Sequence, residues 1–274
     1  MRPLLLLVPT LFLTSYAAAQ NCGFAGSLQK DLNRELQSKN ITEVRIDSKS
    51  GDLRVNGGTT RSIAIQGLAC TNNKALLNQI KFTTRVLGNV LYIDAQVPRV
   101  SLFQQAALHL NIDVPSSMKV SIRDDSGDIF VQKVSNLKIQ DDSGDMDLSD
   151  IAGTVRIEED GSGDMAIRNV KKEVKIDRDD SGDILIEQVS GPVTIGRDGS
   201  GDIIIRNAGS TTITSDDSGE IQIEHIQGNV LIREDDSGDI GAHDISGNFT
   251  VGQDGSGDIN FDQVKGQVQL PRKR

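Results

Sequence analysis

Tryptophan is absent from the 274 residues, and only two tyrosines and seven phenylalanines are present. A core made from this chain must therefore be aliphatic, and a surface that stacks nucleobases or sugars on aromatic rings is not expected. An excess of positive charge is also missing. The 29 Lys and Arg are outnumbered by 39 Asp and Glu, for a net charge of −10. That balance argues against nucleic acid and anionic membrane as partners. Beyond the first residues no apolar run is long enough to span a bilayer, so no membrane insertion is expected. Histidine is scarce. His109, His225 and His243 have no metal-binding spacing and read as solvated surface residues. No Ser-His-Asp arrangement and no phosphate-binding loop is evident, and Gly161-Ser162-Gly163 is a turn without a strand–loop–helix context.

The N-terminus does carry an address. Arg2, the short apolar run Leu4 to Leu13, and Ala17 and Ala19 have the order of a secretory signal peptide over 1–19, with Gln20 as the first mature residue. The protein is therefore expected in the periplasm or secreted. Cys22 and Cys70 form an even pair in an oxidising compartment and are expected to make one disulfide. Closing a loop of about 48 residues is worth roughly 3–4 kcal/mol. The sequence closes on a basic tail, 271–274, without an apolar or cell-wall anchor motif.

What dominates the sequence is a repeat. Ser-Gly-Asp-Ile and close variants recur eight times, with glycines at 127, 144, 163, 182, 201, 219, 238 and 257, spaced 17–19 residues apart. A degenerate copy, Ser50-Gly51-Asp52-Leu53, lies upstream. Counting the residue after Asp as zero, apolar residues fall at 0, +2, +5, +9 and +11; one copy reads Ile184, Ile186, Val189, Val193, Ile195. Each pair two apart marks a short strand, and the odd step from +2 to +5 demands a bend. Glycine at +7, as in Gly191 and Gly228, marks a second turn and is expected to supply positive φ. One repeat cannot bury its own apolar face, but stacked repeats can. The fold predicted is an all-β, single-domain parallel β-solenoid of 17–19-residue coils. At about 4.8 Å per coil, eight coils make a rod roughly 38 Å long.

The segment before the repeats is less regular. Leu28, Leu32 and Leu36 recur at helical spacing after Ser27, which predicts a short N-terminal helical cap within 20–40. A second short helix is expected from Lys74 to Ile80. Strands are expected at Ile41–Asp47, Asp52–Val55, Ser62–Leu68, Phe82–Ala95 and His109–Val114. Residues 41–120 thus read as irregular opening coils, and 121–270 as regular repeats of the same body. The cap would cover the unpaired edge at one end, and Pro271 with the basic tail would blunt the other.

The turn before each zero position is Asp-[Asp/Gly]-Ser-Gly-[Asp/Glu]. Stacking aligns three columns that hold 21 of the 39 acidic residues, predicted as an outer seam of the rod. Charges 4.8 Å apart repel by roughly 0.9 kcal/mol in water and about 3.5 at an effective dielectric of 20, so the columns must stay solvated or be neutralised. Two readings follow. In the first, Asp and Ser accept backbone N–H bonds at the turn. In the second, turn oxygens hold calcium, with Asp179, Asp183, Asp198 and Asp202 as candidate ligands. Catalysis is not expected, because glycosidase-type chemistry needs two carboxylates in different environments. Outward position +1 carries Phe130, Leu185 and Ile204, a small apolar contact patch.

The recurring Asp-Ser-Gly-Asp-Ile and Asp-Gly-Ser-Gly-Asp-Ile, with the Val114-Pro115 step before them, resemble the bacterial putative-adhesin families over about residues 41–270. These families include domain-of-unknown-function β-solenoids and GIN-type head domains. The resemblance implies an extracytoplasmic bacterial β-solenoid and supplies no catalytic residues. It favours a non-enzymatic scaffold or adhesin-like binding protein, monomeric, with no cofactor, whose partner is a protein or a cell-envelope glycan. The alternatives are a calcium- or glycan-binding module acting through the acidic turns, and an envelope-stress sensing module.

Overall fold

The computed structural model describes residues 22–101 and 103–272. The signal peptide expected over 1–19 lies outside the described residues, as do Lys273 and Arg274 of the basic tail. Among the described residues every regular element is a strand, and the strands make two twelve-stranded sheets. From Lys119 onward each winding gives one strand to each sheet, always parallel to the winding before. Like positions pair: Ile184 with Ile203, Ile203 with Ile221, Val193 with Thr211. This is the β-solenoid that the period requires.

The five apolar positions of each repeat point between the sheets. Ile184, Ile186, Val189, Val193 and Ile195 are all buried, and each lies over its counterpart in the next winding. Truncating one such side chain to Ala costs about 2–5 kcal/mol, because its neighbours above and below cannot collapse into the gap. The bend between +2 and +5 is made by one left-handed residue at +4. Eight such residues, from Lys133 to Gln263, have φ of 51–59°. A single reversed residue restores the inward face after three positions instead of two.

Glycine serves the two corners differently. In the Ser-Gly-Asp turn Gly182 has φ of 128°, and a Cβ there would lie 1.9 Å from the Gly163 carbonyl oxygen. The +7 glycines do not have the positive φ expected of them. At Gly191 the reason is contact instead: a Cβ would sit 2.1 Å from the Lys172 oxygen of the winding below.

The N-terminal part departs from the simple winding. Its strands are β1 (Leu28–Gln37), β2 (Glu43–Ser50), β3 (Leu53–Gly58), β4 (Ser62–Thr71), β5 (Lys81–Leu87), β6 (Val90–Gln96), β7 (Ala106–Pro115), β8 (Lys119–Ser126) and β9 (Ile129–Gln132). The winding β2–β3 is sandwiched between β6–β7 on one side and β8–β9 on the other: Leu53 pairs with both Leu110 and Ile129. The degenerate repeat at Ser50–Leu53 is therefore a true winding, with Leu53 and Val55 in register with Ile129 and Val131.

The helical cap within 20–40 is not formed. Leucines four apart share a face of a strand as well as of a helix, and β1 pairs antiparallel with β4 along its whole length. Leu32 and Leu36 pack on the core. The helix expected at Lys74–Ile80 is a series of turns, with Asn73 Oδ1 accepting the Ala75 amide. Phe82–Ala95 is a hairpin rather than one strand, reversing at Gly88 with φ of 62°. Antiparallel β1 and β5 thus end the two sheets, and the Cys22–Cys70 disulfide, Cα atoms 5.5 Å apart, fastens the segment before β1 to β4. At the opposite end the last winding leaves Phe261, Val268 and Leu270 exposed, so Pro271 and Arg272 do not cover the core there.

Candidate functional site

The acidic corner of the rod is two different environments. The first aspartate of each turn points inward. Asp124, Asp141, Asp160, Asp179, Asp198, Asp216 and Asp235 are 0–2% exposed. The outer seam predicted for this column is therefore wrong. The burial pattern of the strand Val193–Asp198 shows why: Val193, Ile195 and Asp198 all face the interior. Asp198 stands three residues after Ile195, the same odd step that carries the chain from Ile186 to Val189. That recurring step was the available signal. It is masked because an acidic side chain at an interior position breaks the apolar pattern.

Burial raises these carboxyls far above the ordinary carboxylate range. Asp124 reaches about 7, with the Ser48 hydroxyl, 2.6 Å from its Oδ1, opposing the effect of desolvation. Asp141 reaches about 6, held down by the amides of Ser143 and Asp142. Asp160 reaches about 8, because desolvation is joined by repulsion from Asp179 and Asp141. Asp179, Asp198, Asp216 and Asp235 are likewise raised, each chiefly by desolvation.

The last acid of each turn does the opposite. Asp145, Asp164, Asp183, Asp202 and Asp239 are exposed. The Oδ1 of Asp145 accepts the amide of Asp164 at 2.9 Å, that of Asp164 the amide of Asp183 at 3.1 Å, and that of Asp183 the amide of Asp202 at 2.9 Å. The turn-capping reading holds for this column, with each bond joining one winding to the next. The middle column, Asp125, Asp142, Asp180, Asp217 and Asp236, is on the surface, where Arg178 pairs with Asp180 and Arg197 with Asp217.

The four calcium candidates are split by this geometry. Asp179 and Asp198 are inside, while Asp183 and Asp202 are outside with Oδ1 engaged by amides. Among the described residues no group of three or more His, Cys, Asp or Glu is placed to hold a metal ion.

The outer faces of the two sheets also differ. On the first sheet Asp147, Arg168, Glu187, Arg206 and Glu224 form a ladder of alternating sign, with N–O distances of 3.1–3.5 Å. Registers off by one winding would oppose like charges. The apolar patch expected at +1 is interrupted. Leu185 and Ile204 are neighbours, but Asp147 and Ala166 separate them from Phe130, whose ring lies 4.6 Å from the Arg54 guanidinium. On the second sheet a shallow depression of about 260 Å³ is lined by Arg45, Tyr92, Asp94, Arg123, Lys138 and Glu158, among others. Arg45 and Arg85 lie over the Tyr92 ring at 5.7 and 5.0 Å.

The histidines are not alike either. His109 is buried, against expectation, because its strand β7 is covered by β4 on one side and β3 on the other; its Nδ1 accepts the Asp52 amide at 3.0 Å. His225 and His243 stack edge to face on neighbouring windings, and Asp262 raises the His243 pKa by hydrogen bonding.

Solved structures similar to this chain share little sequence with it. A putative adhesin from Bacteroides fragilis NCTC 9343 is 12% identical, with 88% of this chain and 96% of that one covered and a TM-score of 0.43. A putative lipid binding protein from Parabacteroides distasonis ATCC 8503 is 17% identical over the same shares, also at 0.43. A putative cell adhesion protein from Clostridium sporogenes ATCC 15579 is 12% identical, covered completely against 90% of this chain, at 0.28. No curated protein matches the sequence. Residues 78–224, more than half of the chain, match the family described as Toastrack DUF4097, and the chain belongs to that family.

Proposed function

We propose that this protein is a non-enzymatic, extracytoplasmic binding rod that holds a cell-envelope glycan against the outer face of its second sheet. The observation that carries the reading is the depression around Tyr92. Arginine, lysine, carboxylate and phenol groups converge there on a rigid sheet surface, next to the end fastened by the disulfide. Fixed hydrogen-bonding groups of both signs suit a polar, hydroxyl-rich chain better than an apolar one. The export signal expected over 1–19 and the disulfide favour a location outside the cytoplasm.

The test is a glycan array probed with the oxidised protein and with Tyr92→Ala and Arg45→Ala. Binding by the parent and at least about tenfold weaker binding by both variants, a loss of about 1.4 kcal/mol, supports the proposal. An array without signal, or a signal untouched by either change, overturns it. Capture of a protein partner that is lost on substituting Leu185 and Ile204 would move the contact to the first sheet.

A further inference from the structure

The buried aspartates have no evident role in the contact surface proposed above, and they are the least explained groups in the molecule. Register places them in one line: Asp124 beside Asp141, Asp160 beside Asp179, and Asp179, Asp198, Asp216, Asp235 and Asp254 in succession. Neighbouring strands in a sheet are about 4.8 Å apart, and Asp198 faces Asp179 on one side and Asp216 on the other within hydrogen-bonding reach. Among the described residues no protein donor meets either carboxylate oxygen of Asp141, Asp160, Asp179, Asp198, Asp216 or Asp235 with full hydrogen-bond geometry. A buried line of carboxylates cannot all be ionised, because each would pay for desolvation and also repel two neighbours.

We propose that the column binds protons, with a neutral carboxyl on one winding donating its hydrogen to the carboxylate of the next. The protons come from solvent as the chain folds, and no other reactant is needed. Two facing carboxyl oxygens then share one hydrogen, which turns a repulsive contact into a charge-assisted bond. The surrounding charges fit this state. The acids flanking the column, Asp125, Asp142, Asp180, Asp217 and Asp236, all disfavour further negative charge inside. Lys49, Arg178 and Arg197 pair with Asp125, Asp180 and Asp217 at the surface, and Arg123 and Arg233, next to the column in sequence, are exposed. The Ser48 hydroxyl donates to Asp124 Oδ1 at one end of the column.

The sign of the pH dependence follows. The folded chain binds more protons than the unfolded one, so the stabilisation is complete below the ordinary carboxyl range and is lost as pH rises through about 6 to 9. Asp52 and Asp177 have lowered pKa values, so their contributions are already complete at pH 5 and stay constant above it. His243 titrates in the same direction as the column, so the experiment uses the full chain carrying His243→Gln.

Melting temperature is measured from pH 5 to pH 9, with and without added Ca²⁺ or a chelator. The expected result is a fall of more than about 10 °C towards pH 9. Asp160→Asn with Asp198→Asn, which supply permanent neutral isosteres, should at least halve that fall. Asp164→Asn with Asp202→Asn, in the outer column, should leave it unchanged. A flat profile, or the same fall in the inner variant, overturns the proposal. So does a melt at pH 8 that Ca²⁺ raises and chelator lowers, since the column would then hold a metal ion. If the inner variant does not fold, proton release on unfolding the parent at pH 7 decides: two or more protons per chain are expected, and none contradicts the column.

Discussion

Asp179 and Asp183 stand at the two ends of one turn, and nearly every winding repeats the pair. Asp179 is 1% exposed and its carboxyl is pushed up by burial. Asp183 is in solvent and accepts an amide from the next winding. The two have the same side chain, the same turn and the same period. The difference lies in the corner between them, where Gly182 takes a φ open to few other residues and the chain crosses from the interior of one sheet to the edge of the next. Repetition decides how many carboxylates stand in line. Corner geometry decides which line is buried.

That comparison can be broken at the corner itself. Gly182→Ala should be the most damaging single change near the turn, on the order of 3–5 kcal/mol, because it combines an unfavourable φ with a Cβ driven into the Gly163 carbonyl. A denaturant melt reads this directly, and an unaffected midpoint would mean that the corner is not built this way. A smaller effect sharpens the other half of the contrast. Asp183→Ala removes one acceptor for the Asp202 amide at an exposed site. It should cost about 0.5–1.5 kcal/mol, and by the same amount at pH 5 and pH 9. A strongly pH-dependent cost would place Asp183 in the same environment as Asp179.

Much of the fold was legible because a period of 17–19 residues with fixed apolar offsets leaves few ways to bury the same face many times. The Cys22–Cys70 link was legible from compartment and count. The N-terminal strands were less so. Leu28, Leu32 and Leu36 fit a helix and a strand equally, and only the ten-residue pairing of β1 with β4, a non-local contact, decides between them. The interleaving of β2–β3 between later windings has no local signature at all. The acidic corner was misjudged for a different reason. Aspartate is rarely buried without a partner, so composition outweighed spacing, although the three-residue step from Ile195 to Asp198 copies the one from Ile186 to Val189. His109 escaped notice in the same way, as a polar residue whose burial follows from the strands on either side of it, β4 and β3.

The central claim is that one aspartate per winding is enclosed in the rod and retains protons near neutrality. Carbon-13 NMR of protein labelled at the aspartate carboxyl carbons follows each group through its own titration. The account predicts that one set of resonances, shifted by substitution at Asp160 and Asp198, still titrates above pH 6. Complete ionisation of every aspartate below pH 5 would contradict it.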